Sequence, residues 1–299
     1  MNKTTLIAVD WGTSSLRAAR LDAHGQVLEE RAMARGILTI PPGEFATFFE
    51  ANFSDWTGTS GTLCLISGMA GSKQGWVEAP YCPCPAGFDE LAAQLKWIEP
   101  NKIAIVPGLS CEHPHAPDVM RGEEVQIFGA MHLTGLREGL FVLPGTHSKW
   151  ARVENGRVTT FRTYMTGEFY ALLSQHSILA KTLDANAPFD EAAFTQGVAL
   201  AAAGDGLLNT AFSARTLSLF SRMNAQASSS YLSGLVIGEE LRSQTLAGSA
   251  EVVMIGSSTL TTRYALALAQ HGTACRAMGS EATWAGLHAL AGAIRANAA

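Results

Sequence analysis

The sequence is short of the features that mark several specialised protein classes. Of 299 residues only 5 are cysteine and 11 proline, and charged residues make up 16%. An odd, irregularly spaced set of cysteines does not make a disulfide framework, and it fits a reducing compartment, the cytoplasm. No segment reaches the ~18 consecutive apolar residues of a membrane helix. The apolar run Leu6–Val9 behind Lys3 stops at Asp10, too short for a signal-peptide core. Basic residues are outnumbered, 21 Lys and Arg against 26 Asp and Glu, for a net charge of −5. That balance argues against nucleic acid as a partner. It leaves room for a small anionic substrate held by local Lys or Arg. Three signatures are also missing. Gly68-x-x-Gly71-Ser72-Lys73 has the wrong spacing for a P-loop, no Gly-x-Gly-x-x-Gly follows a strand, and no Gly-x-Ser-x-Gly occurs.

What the chain has in quantity is hydrophobic residues (47%) and glycine, 29 in all. The first describes a core-rich globular protein; at roughly 150 residues per domain, the length suggests two domains. The second marks places where backbone comes close to a neighbour. Near the start, the β-rich run Thr4–Trp11 is followed by Gly12-Thr13-Ser14-Ser15. The run Leu16–Leu21, the turn Asp22-Ala23-His24-Gly25 and the run Gln26–Arg31 come next. The same series recurs near mid-chain: Leu140–Leu143, Gly145-Thr146-His147-Ser148, Trp150–Val153, the turn Glu154-Asn155-Gly156, then Val158–Phe161. Repetition at this scale implies a duplicated domain. Thr62–Ser67 and Ile103–Val106 read as buried strands, Glu44–Phe53 and Gly122–Leu133 as helices. The second half reads as helices over Glu168–Leu183, Glu191–Ala203, Leu207–Met223, Ser229–Leu246, Thr259–His271 and Glu281–Ala296, with strands at Glu251–Ile255 and Ala274–Met278.

A glycine loop after a strand can aim backbone N–H groups at phosphate oxygens. Here there are two at duplicated positions, and Gly256-Ser257-Ser258 makes a third. Asp10 stands at the end of the first strand, where an open α/β sheet places its ligands. A carboxylate beside a phosphate implies an intervening Mg²⁺. Arg121-Gly122-Glu123-Glu124 opens a helix, where the helix dipole already favours carboxylates. Glu123, Glu124 or the upstream Asp118 could instead take a proton from an attacking hydroxyl. Lys149 or the segment Arg162–Glu168 could reach phosphates, with solvation at the surface the alternative for Lys149. Trp76, Tyr81 and the loop Gly68–Gly75 could wall a small-molecule pocket. Cys111-x-His113-x-His115 has metal-capable residues, but Pro114 and Pro117 make it an irregular loop, and Cys82-Pro83-Cys84 lacks the two-residue spacer of redox or zinc pairs.

The stretch Ala8-Val9-Asp10-Trp11-Gly12-Thr13-Ser14-Ser15 resembles the first phosphate motif of the superfamily that unites sugar kinases, heat-shock chaperone ATPases and actin. Within it the chain resembles the 2-dehydro-3-deoxygalactonokinase family. Gly68-Met69-Ala70-Gly71-Ser72, Val119-Met120-Arg121-Gly122-Glu123-Glu124, Pro144-Gly145-Thr146-His147-Ser148-Lys149-Trp150, Phe161–Glu168, Leu232–Gly238 and Gly256–Tyr264 carry the likeness in order along nearly the whole chain. The resemblance implies an α/β fold of two ribonuclease-H-like (actin-like ATPase) domains with a nucleotide cleft between them. Residues 1–136 would form the sugar-acid side and 137–299 the nucleotide side, with the last helix, about 281–297, packing back on the first domain. It also implies ATP-dependent phosphorylation of the 6-hydroxyl of 2-dehydro-3-deoxy-D-galactonate. The partners are then ATP, Mg²⁺ and a small sugar acid, with homodimerisation left open. Asp10 would act through Mg²⁺. Gly12, Thr13, Ser14, Gly145, Thr146, His147, Lys149, Gly234, Gly256 and Ser257 would hold the nucleotide. Gly71, Ser72, Trp76, Thr166 and Glu168 would line the substrate, with Arg17, Arg121 and Arg162 as candidates for its carboxylate. A superfamily phosphatase, a kinase of another sugar acid and an actin-like assembly protein are the competing readings.

Overall fold

The structure, a computed structural model, describes residues 5–58, 61–184, 186–246 and 251–297; Lys3 and Thr4 lie outside them. Strands β1 (Leu6–Trp11), β2 (Leu16–Leu21) and β3 (Val27–Met33) form a meander, followed by helix α1 (Phe45–Thr57) and β4 (Leu63–Gly68). Then come β5 (Tyr81–Pro83), α2 (Phe88–Ala93), β6 (Lys96–Glu99), β7 (Ile103–Ile105), β8 (Gly108–Cys111), β9 (Asp118–Met120) and α3 (Glu123–Thr134). A second meander follows, β10 (Gly139–Leu143), β11 (Ser148–Glu154) and β12 (Arg157–Tyr164). The helices α4 (Thr166–His176), α5 (Glu191–Ala203), α6 (Leu207–Thr210), α7 (Ser213–Leu219) and α8 (Ala225–Arg242) come next. The chain ends with β13 (Val252–Ile255), α9 (Ser258–Gln270), β14 (Cys275–Met278) and α10 (Glu281–Asn297).

The strands form mixed sheets in the order β3-β2-β1-β4-β7-β6 and β12-β11-β10-β13-β14, with a small third sheet β5-β8-β9. In each large sheet the order is third, second and first strand of a meander, then later strands, three in the first sheet and two in the second, so the repeat read in the sequence is repeated in topology. In the first sheet β1 runs antiparallel to β2 and parallel to β4. Contacts divide the chain into two compact units. One comprises Met1–Phe141, Ala151–Arg162 and Met278–Ala299; the other comprises Val142–Trp150 and Thr163–Ala277.

In the first unit the period-2 alternation of β1 sends Ile7, Val9 and Trp11 into a core with Phe45, Phe49, Phe53 and Trp56 of α1. The other face of the sheet is covered by α10, which packs on α3, β1 and β4. The two helices meet at their backbones. A side chain at Gly129 would run into the Ala282 carbonyl, and one at Gly286 into that of Val125. In the second unit α5 and α8 cross equally closely at Gly197 and Gly234, beside a core of Ala193, Ala201, Tyr231, Leu232 and Leu235.

Two expected helices are interrupted. Leu207–Met223 becomes α6 and α7, because Thr210 Oγ1 turns back onto the Gly206 carbonyl (3.2 Å) and Ser213 Oγ onto that of Thr210 (2.5 Å). Glu168–Leu183 ends at His176, where extended Ser177 caps a separate 3₁₀ turn by accepting from Leu179 N–H. The small sheet went unread because its strands are three or four residues long. It also accounts for the cysteine and histidine run. Cys111 closes β8 beside Thr160 (3.4 Å), and His113 Nε2 lies 2.8 Å from the Phe161 carbonyl oxygen. Among the described residues no group of three or more His, Cys, Asp or Glu is arranged to hold a metal, and no helix is long and apolar enough to cross a membrane.

Candidate functional site

The first cluster is built at the carboxyl ends of β1 and β4. Alternation places Asp10 on the face away from α1, in register with Arg17 on β2 and Ser67 on β4. Asp10 Oδ2 accepts from Arg17 Nη2 at 2.6 Å, with the carboxylate one-fifth exposed. The Arg17 guanidinium also lies 5.8 Å from the Trp284 ring centroid on α10. The Gly12–Ser15 turn is closed by Gly12 N–H on the Ser15 carbonyl (2.9 Å). Its outer carbonyls, of Gly12 and Thr13, accept from Ile37 and Leu38. Thr13, Ser14 and Ser15 are exposed at its tip.

Gly68 ends β4 at φ +94°, a conformation that side-chain-bearing residues rarely adopt. A Cβ there would stand 2.8 Å from the Trp11 carbonyl oxygen and 3.5 Å from Asp10 Oδ1. Gly122, at φ +106°, lies against the same glycine: its Cβ would be 3.3 Å from Gly68 Cα. Two glycines thus bring the start of α3 up to Asp10. The α3 carboxylates fold back onto their own backbone, Glu123 Oε2 accepting from Arg121 N–H (3.0 Å) and Glu124 Oε2 from Gly122 N–H (2.7 Å). Glu124 is fully buried and its Oε1 has no hydrogen-bond partner among the described residues. Burial first, and the charge of Glu123 second, push its carboxyl up to about 8. Burial thus favours the protonated form of Glu124. Asp118 lies on β9, its Oδ1 accepting from Val119 N–H (2.8 Å).

Next to this cluster Arg121 is 9% exposed. Its Nη2 donates to the Ala79 carbonyl (2.8 Å) and its guanidinium sits 4.3 Å from the Tyr81 ring centroid. Gly71 makes room for it: a Cβ there would be 2.7 Å from Arg121 Nη1. Trp76, read as a pocket wall, packs instead into the aromatic cluster, 5.2 Å from Phe49 and 6.2 Å from Trp11 between centroids.

The second cluster lies in the second unit. Thr146 and His147 are exposed on the loop after β10. The start of α4 is stitched to that loop. Glu168 N–H donates to the Thr146 carbonyl (3.1 Å), His147 Nε2 lies 2.6 Å from Glu168 Oε2, and a Cβ on Gly167 would be 2.5 Å from the Gly145 carbonyl oxygen. Thr166 and Glu168, read as substrate contacts, thus stand on the second glycine loop. Arg162 is exposed on β12, and Lys149 is buried rather than solvated. Gly256 follows β13 beside Pro144, and Ser257 caps α9. A cavity next to this loop is lined by Gly145, Gly167, Ser233, Ile237, Leu260 and Arg263. Gly234, read as a nucleotide contact, turns toward α5, where a Cβ would meet the Phe194 carbonyl at 2.1 Å. Its neighbour Ser233 is the residue in the cavity, accepting from Arg263 Nη1 at 3.1 Å.

Sequence reasoning missed Glu240. This buried carboxylate on α8 accepts from Ser148 Oγ (2.8 Å), Trp150 Nε1 (2.5 Å), Tyr264 OH (2.7 Å) and Thr166 Oγ1. Burial raises its carboxyl and the four donors oppose that rise. It ties β11, α4 and α9 to α8 around the second loop. Its only sequence signal was a charge inside an otherwise buried helix.

A family model described as 2-keto-3-deoxy-galactonokinase matches residues 10–290. A protein of Rhizobium meliloti bearing the name 2-dehydro-3-deoxygalactonokinase is 39% identical over 296 residues, 96% of each chain. The 2-dehydro-3-deoxygalactonokinase of Escherichia coli is 34% identical over 291 residues, 96% of this chain and 98% of its own. A crystal structure from Sinorhizobium meliloti under the same enzyme name superposes with a TM-score of 0.90 at 37% identity, covering 97% of this chain and 99% of that one. Component A of the (R)-2-hydroxyglutaryl-CoA dehydratase of Acidaminococcus fermentans, at 14% identity and a TM-score of 0.52 over 99% of this chain and 100% of its own, shares the fold alone.

Proposed function

This chain belongs to the 2-keto-3-deoxy-galactonokinase family, and we propose that it uses ATP to phosphorylate the 6-hydroxyl of 2-dehydro-3-deoxy-D-galactonate, giving the 6-phosphate and ADP in D-galactonate breakdown. The observation that carries this reading is the continuity of the family match from residue 10 to residue 290. It takes in Asp10, the 68–72 turn, the start of α3, the 145–147 loop and Gly256. A phosphatase and an assembly protein are not favoured by these matches. The reading of two ribonuclease-H-like domains, 1–136 and 137–299, belongs to the same proposal and is supported by the repeated strand order.

Phosphoryl transfer asks the protein for positioning and charge neutralisation rather than covalent chemistry. The exposed tips at Thr13–Ser15 and Thr146–His147 suit phosphate oxygens through backbone N–H groups. Ser67 Oγ, in register with Asp10 and without a hydrogen-bond partner among the described residues, adds an oxygen beside the carboxylate; this donor pair fits a hard cation such as Mg²⁺ when Arg17 releases Asp10 Oδ2. Asp10 would hold it, and when bound it would neutralise charge developing on the phosphates. The two α3 carboxyls differ in burial, Glu124 enclosed and Glu123 part-exposed, and that divides their roles. Glu123, half-buried at the first turn, accepts the proton of the acceptor hydroxyl. Glu124, whose protonated form burial favours, can donate a hydrogen bond from its unpartnered edge. Arg17 is engaged by Asp10, which leaves Arg121 as the buried cation beside the acceptor.

The test is ADP release from Mg-ATP with and without a panel of 2-keto-3-deoxy sugar acids. The galacto acid should stimulate release most, with phosphate recovered on its terminal carbon. Release that is equally fast without any acceptor would sink the kinase reading.

A further inference from the structure

Nine buried side-chain polar atoms lack a hydrogen-bond partner among the described residues. Five of them are Ser67 Oγ, Ser72 Oγ, Arg121 Nε, Arg121 Nη1 and Glu124 Oε1, which come from two short segments. The segments touch, through Gly71 against Arg121 and Gly68 against Gly122. Buried polar groups are normally paired, so unpaired ones concentrated in one seam mark polar capacity kept for something else. Their character differs along the seam. The end next to Asp10 offers carboxyl and hydroxyl oxygens. The other end offers donors, two guanidinium nitrogens and the Ser72 hydroxyl.

Arg121 is the unusual member. A cation nine-tenths buried is costly unless an anion compensates it. Its one hydrogen bond goes to a neutral carbonyl, and the Tyr81 ring stacks on it without removing the charge. Glu124, the nearby carboxyl, bonds the Gly122 N–H instead and makes no hydrogen bond to the guanidinium. The guanidinium fork, with the Ser72 hydroxyl on the residue after the Gly71 that touches it, matches a planar carboxylate. The other two arginines considered are placed differently: Arg17 is ion-paired with Asp10, and Arg162 is exposed on β12.

We propose that Arg121 and Ser72 bind the carboxylate of the sugar acid. This rests on the kinase reading and deepens it: the seam recognises the acceptor at both ends, the carboxylate at Arg121 and the reacting hydroxyl at the start of α3. Acid selectivity then comes from residues 72 and 121. An acceptor with a hydroxymethyl group in place of the carboxylate leaves the guanidinium uncompensated and is a poor substrate.

The experiment compares kcat/KM for the sugar acid with that for the 3-deoxyhexulose carrying a hydroxymethyl group at C1. Wild type should prefer the acid about a hundredfold. Arg121→Gln should lose roughly a hundredfold on the acid and little on the analogue, erasing the preference. Ser72→Ala, which keeps the Arg121 contacts and guards against misfolding, should lose roughly tenfold on the acid alone. Calorimetric titration of the acid reads the same contact without turnover. Affinity that falls in both variants supports the site even if ADP release proves independent of acceptor, in which case only the kinase reading fails. An unchanged acid preference together with unchanged acid affinity in the two variants overturns the proposal.

Discussion

Asp10 and the glutamates of α3 show how the same side chain takes different work from its surroundings. Asp10 is part-exposed and ion-paired with Arg17, so Asp10→Asn should preserve the fold. Turnover should drop at least about a hundredfold if the carboxylate holds the charge-neutralising cation. Near-normal kcat would remove it from that role. For the α3 pair, Glu123→Gln should lower kcat by roughly 10²–10⁴-fold, the usual worth of a general base, with KM for the acid little changed. Glu124→Gln, which copies a protonated carboxyl, should keep turnover within about tenfold. The same substitution reports on stability. Below its unfolded value near 4.5, Glu124 is protonated in both states. Between there and about 8 the unfolded chain releases the proton while the folded one keeps it, so stability is lost as pH rises through that window. Chemical denaturation at pH 5, 6.5 and 8 should therefore show Glu124→Gln gaining on wild type as pH rises, by up to a few kcal/mol. A constant difference would mean that Glu124 titrates normally.

Among the secondary-structure elements, glycine acts at helix crossings as well as in loops. Gly234 sits where α8 meets α5, and the Cβ of Gly234→Ala would press on the Phe194 carbonyl. The helices must part, at roughly 1–3 kcal/mol. Gly292 on α10 has open space around the same position. Gly292→Ala should stabilise by roughly 0.5–1 kcal/mol through helix propensity alone. Urea midpoints for the pair should move in opposite directions; movement in the same direction would show that the α5–α8 crossing can yield. Because Ser233, next to Gly234, lines the cavity by the second glycine loop, Gly234→Ala should raise KM for ATP more than KM for the sugar acid.

On the scale of the whole molecule, chain order and spatial grouping part company. The last segment, Met278–Ala299, belongs to the unit that holds Asp10, where α10 covers the sheet and interlocks with α3 through Gly129 and Gly286. A chain ending at Gly279 would uncover Val125 and the neighbouring apolar face of β1. It should lose the cooperative unfolding transition of that unit, read by near-ultraviolet circular dichroism. A truncated protein that melts like the full chain would contradict the packing role of α10.

The sequence alone settled what depends on local pattern. Alternation and turn glycines placed both meanders, helical periodicity placed α5, α9 and α10 to within a residue or two, and the two Gly-Thr loops marked the ends of β1 and β10. It could name Asp10, Arg121, Glu123 and Glu124 as chemically capable. It could not say which was ionised or unpaired, because burial and partners come from segments far apart in the chain. The carboxyl of Glu124 is pushed up because the fold buries it. Arg121 is an uncompensated cation because Gly71 lets it lie under the 68–72 turn. Gly234 is a helix contact because α5 passes over it. Glu240 serves the second loop because four hydroxyl and indole donors from three other elements converge on it. Only the tertiary structure decides such matters, since desolvation and hydrogen-bond satisfaction depend on neighbours that sequence spacing does not record.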